Sequence, residues 1–406
     1  MPSIRVAVIT FDRYPFEPRA LRLAEAAASA VNEVDVICLC QPGEKSYEVH
    51  NGVNIYRMPM NRSVGGSLPI MLLQWGLFLL IAGVRVAALH LRRPYDIVHV
   101  HNMPDFLVFS ALVPKLLGAK VILDVQDVSP ELMAAKARGP LKEIVKRLAI
   151  WQERISTRFA QHIVTTGWLF EEILVRRGVP KEKITSILNS VDPRIFPAER
   201  QRPHLSAPVE KERPFIIMYH GTLAERNGLD TAIRALALAR SAVPQLQLHI
   251  QGDGERLPFL KQLVAELALS DSVVFTGPSP IDKLVDFVVH GDIGIIPYRA
   301  NGFAELVLPT KGYEYAWMQR PIIASDTRAI RSMFRPASIV LCDPLQPASF
   351  AEAIIDLYRH PEKRTQMVAS AAEDYQPYQW EKLARRYQQL LLSLSMKQER
   401  EQLSTV

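Results

Sequence analysis

With 406 residues, the chain is too long for one ordinary hydrophobic core, and two domains are expected. Hydrophobic residues make up 48% and charged residues 22%, which excludes a collagen-like, low-complexity or wholly disordered protein. The net charge of +6 favours anionic partners, yet no zinc-finger spacing or arginine/aromatic tract supports nucleic acid, so small phosphate compounds and anionic lipid head groups remain. Cys38, Cys40 and Cys342 are an odd number without metal-ligand spacing. Cys38 and Cys40 alternate within Val36-Ile37-Cys38-Leu39-Cys40 and are expected as small core residues of a strand in a reducing cytoplasm. The opening Met1-Pro2-Ser3-Ile4-Arg5-Val6 leads straight into a strand and lacks a signal-peptide pattern.

Short β-branched runs at 5–10, 35–40, 53–57, 97–101, 120–125 and 162–165 read as strands. Helical patterns lie at about 18–31, 68–91, 104–117, 141–159 and 168–178. This alternation predicts a parallel sheet covered by helices, with ligands bound beyond the carboxyl ends of its strands. Three polar strand ends therefore become acceptor-site candidates. The first is the proline-stiffened loop from Phe11 to Arg19, with Arg19 near the next helix start. The second is His99-Val100-His101-Asn102-Met103-Pro104-Asp105, and the third is Asp124-Val125-Gln126-Asp127-Val128-Ser129-Pro130-Glu131. His99 alternates with Val98 and Val100 and can be a packed strand residue; His101, at the strand end, is the better functional candidate.

Leu68 to Val84 is unusually apolar, interrupted by Pro69 and Gln74, preceded by Arg62 and followed by Arg85, Arg92 and Arg93. It falls short of the roughly 20 apolar residues a spanning helix needs. Two readings stay open: a buried helix of the sheet, or an interfacial helix dipping into a bilayer. The stretch 136–158 adds Lys136, Arg138, Lys142, Lys146, Arg147, Arg154 and Arg158 against Glu143 and Glu153, with apolar positions at helical spacing. Such a basic amphipathic helix suits a solvated face or an anionic membrane surface.

The composition turns to charge and proline across 197–213, the expected linker between a first domain at 1–196 and a second at 214–375. Strands follow at 215–220, 247–251, 273–276, 293–296 and 321–324, with helices at 229–241, 255–269, 281–289 and 309–318. A last amphipathic helix begins near Trp380, in a closing segment at 376–406. The first of these strands ends in His220-Gly221-Thr222-Leu223-Ala224-Glu225-Arg226. There Gly221 permits close backbone approach and Arg226 offers a fork for a diphosphate. Gln251-Gly252-Asp253-Gly254-Glu255 is a second strand-end turn, which makes Asp253 a candidate. In Glu305-Leu306-Val307-Leu308-Pro309-Thr310-Lys311-Gly312-Tyr313-Glu314, Pro309 suits the first helical turn and Lys311 stands beside free backbone N–H groups. A cation there reads as half of a phosphate site. Glu305 and Glu314 are acceptors for sugar hydroxyls. Phosphate and hydroxyls together suggest a nucleotide sugar.

EPRALRLAEA, DIVHVHN, DVQDVSPEL, HGTLAERNGLDTAIRA, QGDGE, ELVLPTKGYEYAW, PIIAS and QWEKLARRY, in this order, resemble the retaining glycosyltransferases of family 4, which have the GT-B fold. The resemblance covers nearly the whole chain. It implies an α/β protein of two Rossmann-like domains with parallel sheets facing across a cleft, the last helix crossing back to the first domain. The first domain would bind the acceptor and the second the nucleotide-diphosphate sugar. Glu305 would face the donor sugar and Glu314 the ribose. Arg226 and Lys311 would hold the diphosphate, with Gly221 and Thr222 lining it. Thr222 stands where many members have a basic residue, Asn227 where many have lysine, and Gln126 where many have histidine. Glu305 and Glu314 are nine positions apart instead of the usual eight.

Gln126 and Asn102 are then acceptor-side hydrogen-bonding residues, with Asp127 and His101 the polar candidates at the reaction centre. The expected chemistry needs no metal and no cofactor beyond the co-substrate. The expected setting is bacterial surface-polysaccharide assembly at the cytoplasmic membrane face, with a saccharide or lipid-linked acceptor. Two alternatives are a nucleotide-sugar 2-epimerase of the same fold and a non-catalytic sugar-nucleotide-binding subunit.

Overall fold

Both halves turn their β-branched runs into parallel strands, as seen in a computed structural model that describes residues 4–61, 68–136, 141–201, 213–280, 283–300, 302 and 304–403. Arg62, Arg138, the side chains of Lys136 and Lys142, and most of the expected linker (202–212) lie outside the described residues. In the first unit the strands are β1 (Arg5–Arg13), β2 (Glu33–Leu39), β3 (Tyr47–His50), β4 (Val53–Met58), β5 (Ile97–His101), β6 (Lys120–Val125), β7 (His162–Thr165) and β8 (Ile184–Ser186). Their order is β3-β4-β2-β1-β5-β6-β7-β8, parallel except for the β3–β4 hairpin. The helices of this unit are α1 (Pro18–Ala28), α2 (Leu68–Arg92), α3 (Leu112–Leu116), α4 (Ser129–Lys136), α5 (Leu141–Phe159) and α6 (Trp168–Arg176). A 3₁₀ segment, Asp105–Ala111, runs into α3.

Side chains alternate across a strand, so the two faces of this sheet can be told apart. Ala7, Ile9, Val98, Val100, Val121 and Leu123 share one core with Trp75, Phe78, Ala82, Val86 and Leu89 of α2. His99 and His101 have the opposite parity to Val98 and Val100 and point to the other face. There His99 Nδ1 lies 2.6 Å from the hydroxyl of Tyr387 on the last helix, α14 (Trp380–Leu403). Gln388 of α14 donates to the Ala26 carbonyl of α1 at 2.9 Å.

The second unit has β9 (Phe215–His220), β10 (Leu246–Gln251), β11 (Val273–Gly277), β12 (Ile293–Ile296), β13 (Ile322–Ser325) and β14 (Val340–Cys342), ordered β11-β10-β9-β12-β13-β14 and all parallel. Its helices are α7 (Leu229–Ala239), α8 (Leu257–Glu266), α9 (Leu284–His290), α10 (Thr310–Trp317), α11 (Arg328–Met333), α12 (Pro347–Arg359) and α13 (Pro361–Tyr375). In each sheet the strand order reverses beside the first strand, between β1 and β5 and between β9 and β12. In such sheets that is where a ligand crevice opens.

Several expectations need correction. The units divide as 1–189 with 381–406, and 190–380, so residues 190–196 leave the first domain. Ser190 meets the Tyr375 hydroxyl at 2.9 Å, and the Phe196 carbonyl accepts from Trp317 Nε1 at 2.7 Å. Tyr375 and Tyr378 stay with the second unit because both rings pack against Tyr313, with centroids 5.3 and 5.6 Å away. Pro309 is the residue before α10 rather than its first. The apolar helix α2 is neither shorter than a span nor buried. It runs 25 residues and sinks one face while the other stays exposed. Cys38 is buried, with its thiol pushed up to about 12 by burial, whereas Cys40 lies past the strand end and is half-buried.

Candidate active site

The second unit concentrates its polar strand ends around Lys311. Only 8% of Lys311 is exposed, and its ammonium donates to the Tyr298 hydroxyl at 2.8 Å. It lies 4.9 Å from the Tyr219 ring centroid and 4.8 Å from that of Tyr298. Burial alone would discharge the amine. The Tyr219 and Tyr298 oxygens and rings, with the Glu314 carboxylate nearby, hold its pKa above the ordinary lysine range. A Cβ built on Gly221 would stand 3.6 Å from Nζ, so the amine sits directly beneath an exposed glycine. The N-terminus of α10 has no side-chain cap, which leaves its N–H groups beside the same amine. A buried cation, a bare helix start and a side-chain-free backbone form an anion cradle.

Around the cradle the loops lock together. Gly221 has φ +124°, and Gly252 at φ +140° packs so closely that a Cβ there would lie 2.0 Å from the Gly221 carbonyl oxygen. Both positions require glycine. The Thr222 carbonyl accepts from the Tyr219 hydroxyl at 2.9 Å and from the Asn227 amide at 2.5 Å. Asn227, standing where a lysine was the usual residue, thus ties the loop down. Arg226 is exposed and has no acidic partner among the described residues. Together with Lys311 it acts electrostatically on the phenol of Tyr219, whose pKa burial raises, so both cations address one place.

Glu314 receives the His220 Nε2 at 2.6 Å, while His220 Nδ1 meets the Tyr315 hydroxyl at 3.2 Å. Glu305, in the turn before α10, accepts from the backbone N–H of Arg328 at 2.7 Å and so supplements the start of α11. Asp253 is exposed at the tip of its turn, and its carboxylate accepts from its own neighbour Gly254 at 2.7 Å. Its geometry is that of a turn former.

The first unit also gathers its expected residues, but seals them. Arg19 forks onto both oxygens of Asp124 at 2.7 Å and donates to the Ile187 carbonyl and Asn189 side chain at 2.8 and 3.0 Å. It is 4% exposed. The acceptor role expected for Arg19 is therefore corrected: four of its five donors are already engaged by the protein. Burial would raise the Asp124 carboxyl, but Arg19 and then His101 hold it far below the usual range.

His101 Nδ1 lies 3.1 Å from Asp124 and 2.8 Å from the Gln126 amide. Asp124 Oδ2 and Gln126 Nε2 thus both face this one ring nitrogen. With 1% of its surface exposed, His101 orients Gln126 rather than meeting an acceptor itself. Asn102 is saturated, donating to Asp105 at 2.7 Å and to the Asp127 carbonyl at 2.9 Å and accepting from the Gln126 N–H at 2.8 Å. It clamps two strand-end loops. Half-buried Gln126 and Asp127 are left as the outward polar groups.

His99, held neutral by burial and by neighbouring His101, stacks on His101 with centroids 4.8 Å apart. His99, His101 and Asp124 bring ligand-type atoms within 4.8 Å of one another. Arg19 already occupies both Asp124 oxygens, so the cluster is built as an ion-pair network.

Comparison with known proteins follows this geometry. Residues 16–190 match the glycosyl transferase 4-like domain and residues 201–374 match the glycosyl transferases group 1 domain. The chain belongs to the family-4 GT-B glycosyltransferases. The transferase is 25% identical over 301 residues to a D-inositol 3-phosphate glycosyltransferase of Acidothermus cellulolyticus. That match covers 71% of this chain and spans 64% of the relative's length. Sucrose-phosphate synthase of Thermosynechococcus elongatus superposes with a TM-score of 0.75 at 19% identity, covering 96% of this chain and 99% of the other. Anabaena HepE, in complex with UDP-glucose, superposes with a TM-score of 0.68 at 16% identity, covering 96% and 100%. Both have the α/β fold with two parallel-sheet domains seen in this transferase.

Sequence reasoning passed over Tyr219 and Tyr298, and gave His220, noted at its strand end, no role in the candidate site. They come from the ends of two strands, and no local spacing announces their meeting with α10. Asp105, at the end of the strand-end stretch 99–105, is a fully buried carboxyl pushed up to about 6 by burial despite hydrogen bonds from Asn102 and Ser129.

Proposed function

We propose that this glycosyltransferase binds a nucleoside diphosphate sugar on its second unit and moves the sugar, with retention, to a hydroxyl of a saccharide or lipid-linked acceptor. The setting we infer is surface-polysaccharide assembly. The observation that carries the reading is the protonated Lys311 seated under Gly221 at the bare start of α10, with Arg226, lacking an acidic partner among the described residues, acting with it on Tyr219. The UDP-glucose complex of HepE supports the donor class.

In the transfer, the bond from the anomeric carbon to the diphosphate oxygen breaks and its electron pair leaves with the diphosphate. The acceptor oxygen bonds to that carbon on the same face, and its proton passes to the departing phosphate oxygen. Lys311, Arg226 and the α10 N–H groups stabilise the growing negative charge in place. Glu314, fixed by His220, accepts from ribose hydroxyls. Glu305 is positioned on the loop leading into α10 for the donor sugar, and Gln126 and Asp127 address the acceptor. Because two side-chain cations stand at the diphosphate, the reaction proceeds without a divalent metal, and activity should survive chelator.

A thermal-shift screen against nucleoside diphosphate sugars tests the reading. A donor that binds only the folded state raises its stability by mass action. One donor should raise the midpoint of the native protein, and the exposed substitution Arg226→Ala should abolish most of that rise. No shift with any donor would overturn the proposal.

A further inference from the structure

The outward faces of α2, α3 and α5 hold apolar side chains that no part of the described protein covers. Leu73, Leu80, Val84 and Leu116 are each 66–76% exposed, and Leu148 and Trp151 are 61% and 64% exposed. These helices are neighbours. The 3₁₀ segment Asp105–Ala111 packs on α2 through Trp75 and Phe106, with ring centroids 6.3 Å apart, and on α5 through Phe109 and Phe159 at 5.0 Å. Residues of α2 and of this segment fill the same core on one side of the sheet, with Phe159 of α5 packed against it. The opposite sides of these elements therefore look outward together. One soluble-protein surface seldom carries so large an apolar patch without a binding role.

The charge around the patch identifies what covers it. The exposed positions of α5 include Ile144, Arg147, Leu148, Trp151, Arg154 and Arg158, a spacing of three, four and seven that forms one helical face. None of the three arginines pairs with a carboxylate among the described residues, and Glu143 is the one acid at the start of that exposed face. Like charges facing each other would oppose a second copy of the chain, whereas anionic lipid head groups would receive the arginines while the acyl boundary receives Leu148 and Trp151. The helix α2 is long and apolar enough by composition to cross a bilayer. Its other face, however, is locked into the sheet core through Trp75, Phe78, Ala82, Val86 and Leu89, so it can lie on a membrane without crossing it.

We propose that the α2–α3–α5 face docks on the surface of an anionic bilayer, with α2 and the α5 tryptophan seated at the head-group boundary. This goes beyond donor binding: it lies on the other unit, and its failure would leave the donor-induced thermal shift untouched.

The test is flotation of the full-length protein with phosphatidylcholine vesicles, with or without phosphatidylglycerol, at low and high salt. The protein should float with the anionic vesicles and be released by salt. Leu73→Glu with Leu80→Glu, and separately Arg147→Glu with Arg154→Glu, should each weaken binding by about tenfold or more. Both variants alter exposed positions and should keep the native melting midpoint and donor shift, which separates lost docking from lost folding. Vesicle binding should also blue-shift the tryptophan emission, and Trp151→Phe should remove that shift. Failure to float, equal binding by the variants, or a dimer in sedimentation velocity that the same substitutions dissolve would overturn the proposal.

Discussion

The two units place polar residues at the same topological position, yet treat them in opposite ways. In the second unit, Lys311 is protonated beneath an exposed glycine with Glu314 the carboxylate acting on it, and Arg226 stands exposed with no acidic partner among the described residues, so net positive charge is displayed. In the first unit, Arg19 and Asp124 cancel each other inside the core and Asn102 spends its hydrogen bonds on neighbours, while His99 and His101 each engage Nδ1 and leave a buried Nε2 without a partner among the described residues. An uncompensated cradle is what a diphosphate requires. The Arg19–Asp124 ion pair makes a scaffold beside which Gln126 and Asp127 stay half-buried. On the proposed function, the difference would let one fold keep a constant donor feature while its acceptor side changes.

The sharpest way to break the contrast is to leave one charge of the scaffold alone. Arg19→Met strands the Asp124 carboxylate in the core, and losing one partner of a buried pair costs about 3–5 kcal/mol. Chemical denaturation should show that loss in the transition of the first unit. Any donor-induced shift should survive wherever the second unit is still folded. Equal stability of the variant would mean the pair contributes little.

A second effect follows from Asp105. Its carboxyl is raised to about 6 by burial, above an unfolded value near 3.9. Between these values the unfolded chain releases the proton first, so stability should fall as pH rises from about 4 to about 6. The shift of roughly two units corresponds to about 3 kcal/mol. Glu153, pushed up to about 7 by burial against the pull of Arg177, adds a decline of the same sign at slightly higher pH. Asp105→Asn should flatten the lower part of the stability–pH curve, measured by urea midpoints. An unchanged slope would assign the decline elsewhere.

On the donor side, Arg226→Ala and Lys311→Met should each lower kcat by roughly 10²-fold or more, since they remove charge stabilisation at the leaving group. A change in KM alone would contradict that role. Steady-state kinetics with the donor found by thermal shift decides it.

Much of the fold was readable because parallel strands buried on both faces are short apolar runs. Ile97–His101, Lys120–Val125, His162–Thr165, Phe215–His220 and Ile293–Ile296 have the bounds their composition suggests. Tyr47–His50 was not readable, because an edge strand in an antiparallel hairpin alternates exposed and half-buried residues and has no apolar run. Ile184–Ser186 and Val340–Cys342 are too short to carry a period. The helix Pro347–Arg359 did carry a signal, proline at its start and Phe350, Ile354 and Leu357 on one face, that the alternation argument passed over. In the site, residue types were legible and pairings were not. Arg19 is a plausible ligand by position until Asp124, 105 residues away, takes its fork. The half-exposed state of α2 was equally hidden, since an apolar run does not say which of its faces the sheet uses.

The smallest expected effect concerns His220, which the comparison of the two units places between display and saturation. The residue is 6% exposed and touches Glu314 at 2.6 Å and the Tyr315 hydroxyl at 3.2 Å, so on the proposed function it would position Glu314 rather than act at the reacting bond. His220→Gln keeps a donor near Glu314 but loses the ring's fixed geometry. A positioning bond of this kind contributes about 1 kcal/mol, so the donor KM should rise about fivefold while kcat changes by less than about twofold. A large fall in kcat would instead move His220 into the charge-stabilising set with Lys311. An unchanged KM would show that Glu314 holds its orientation through α10 alone.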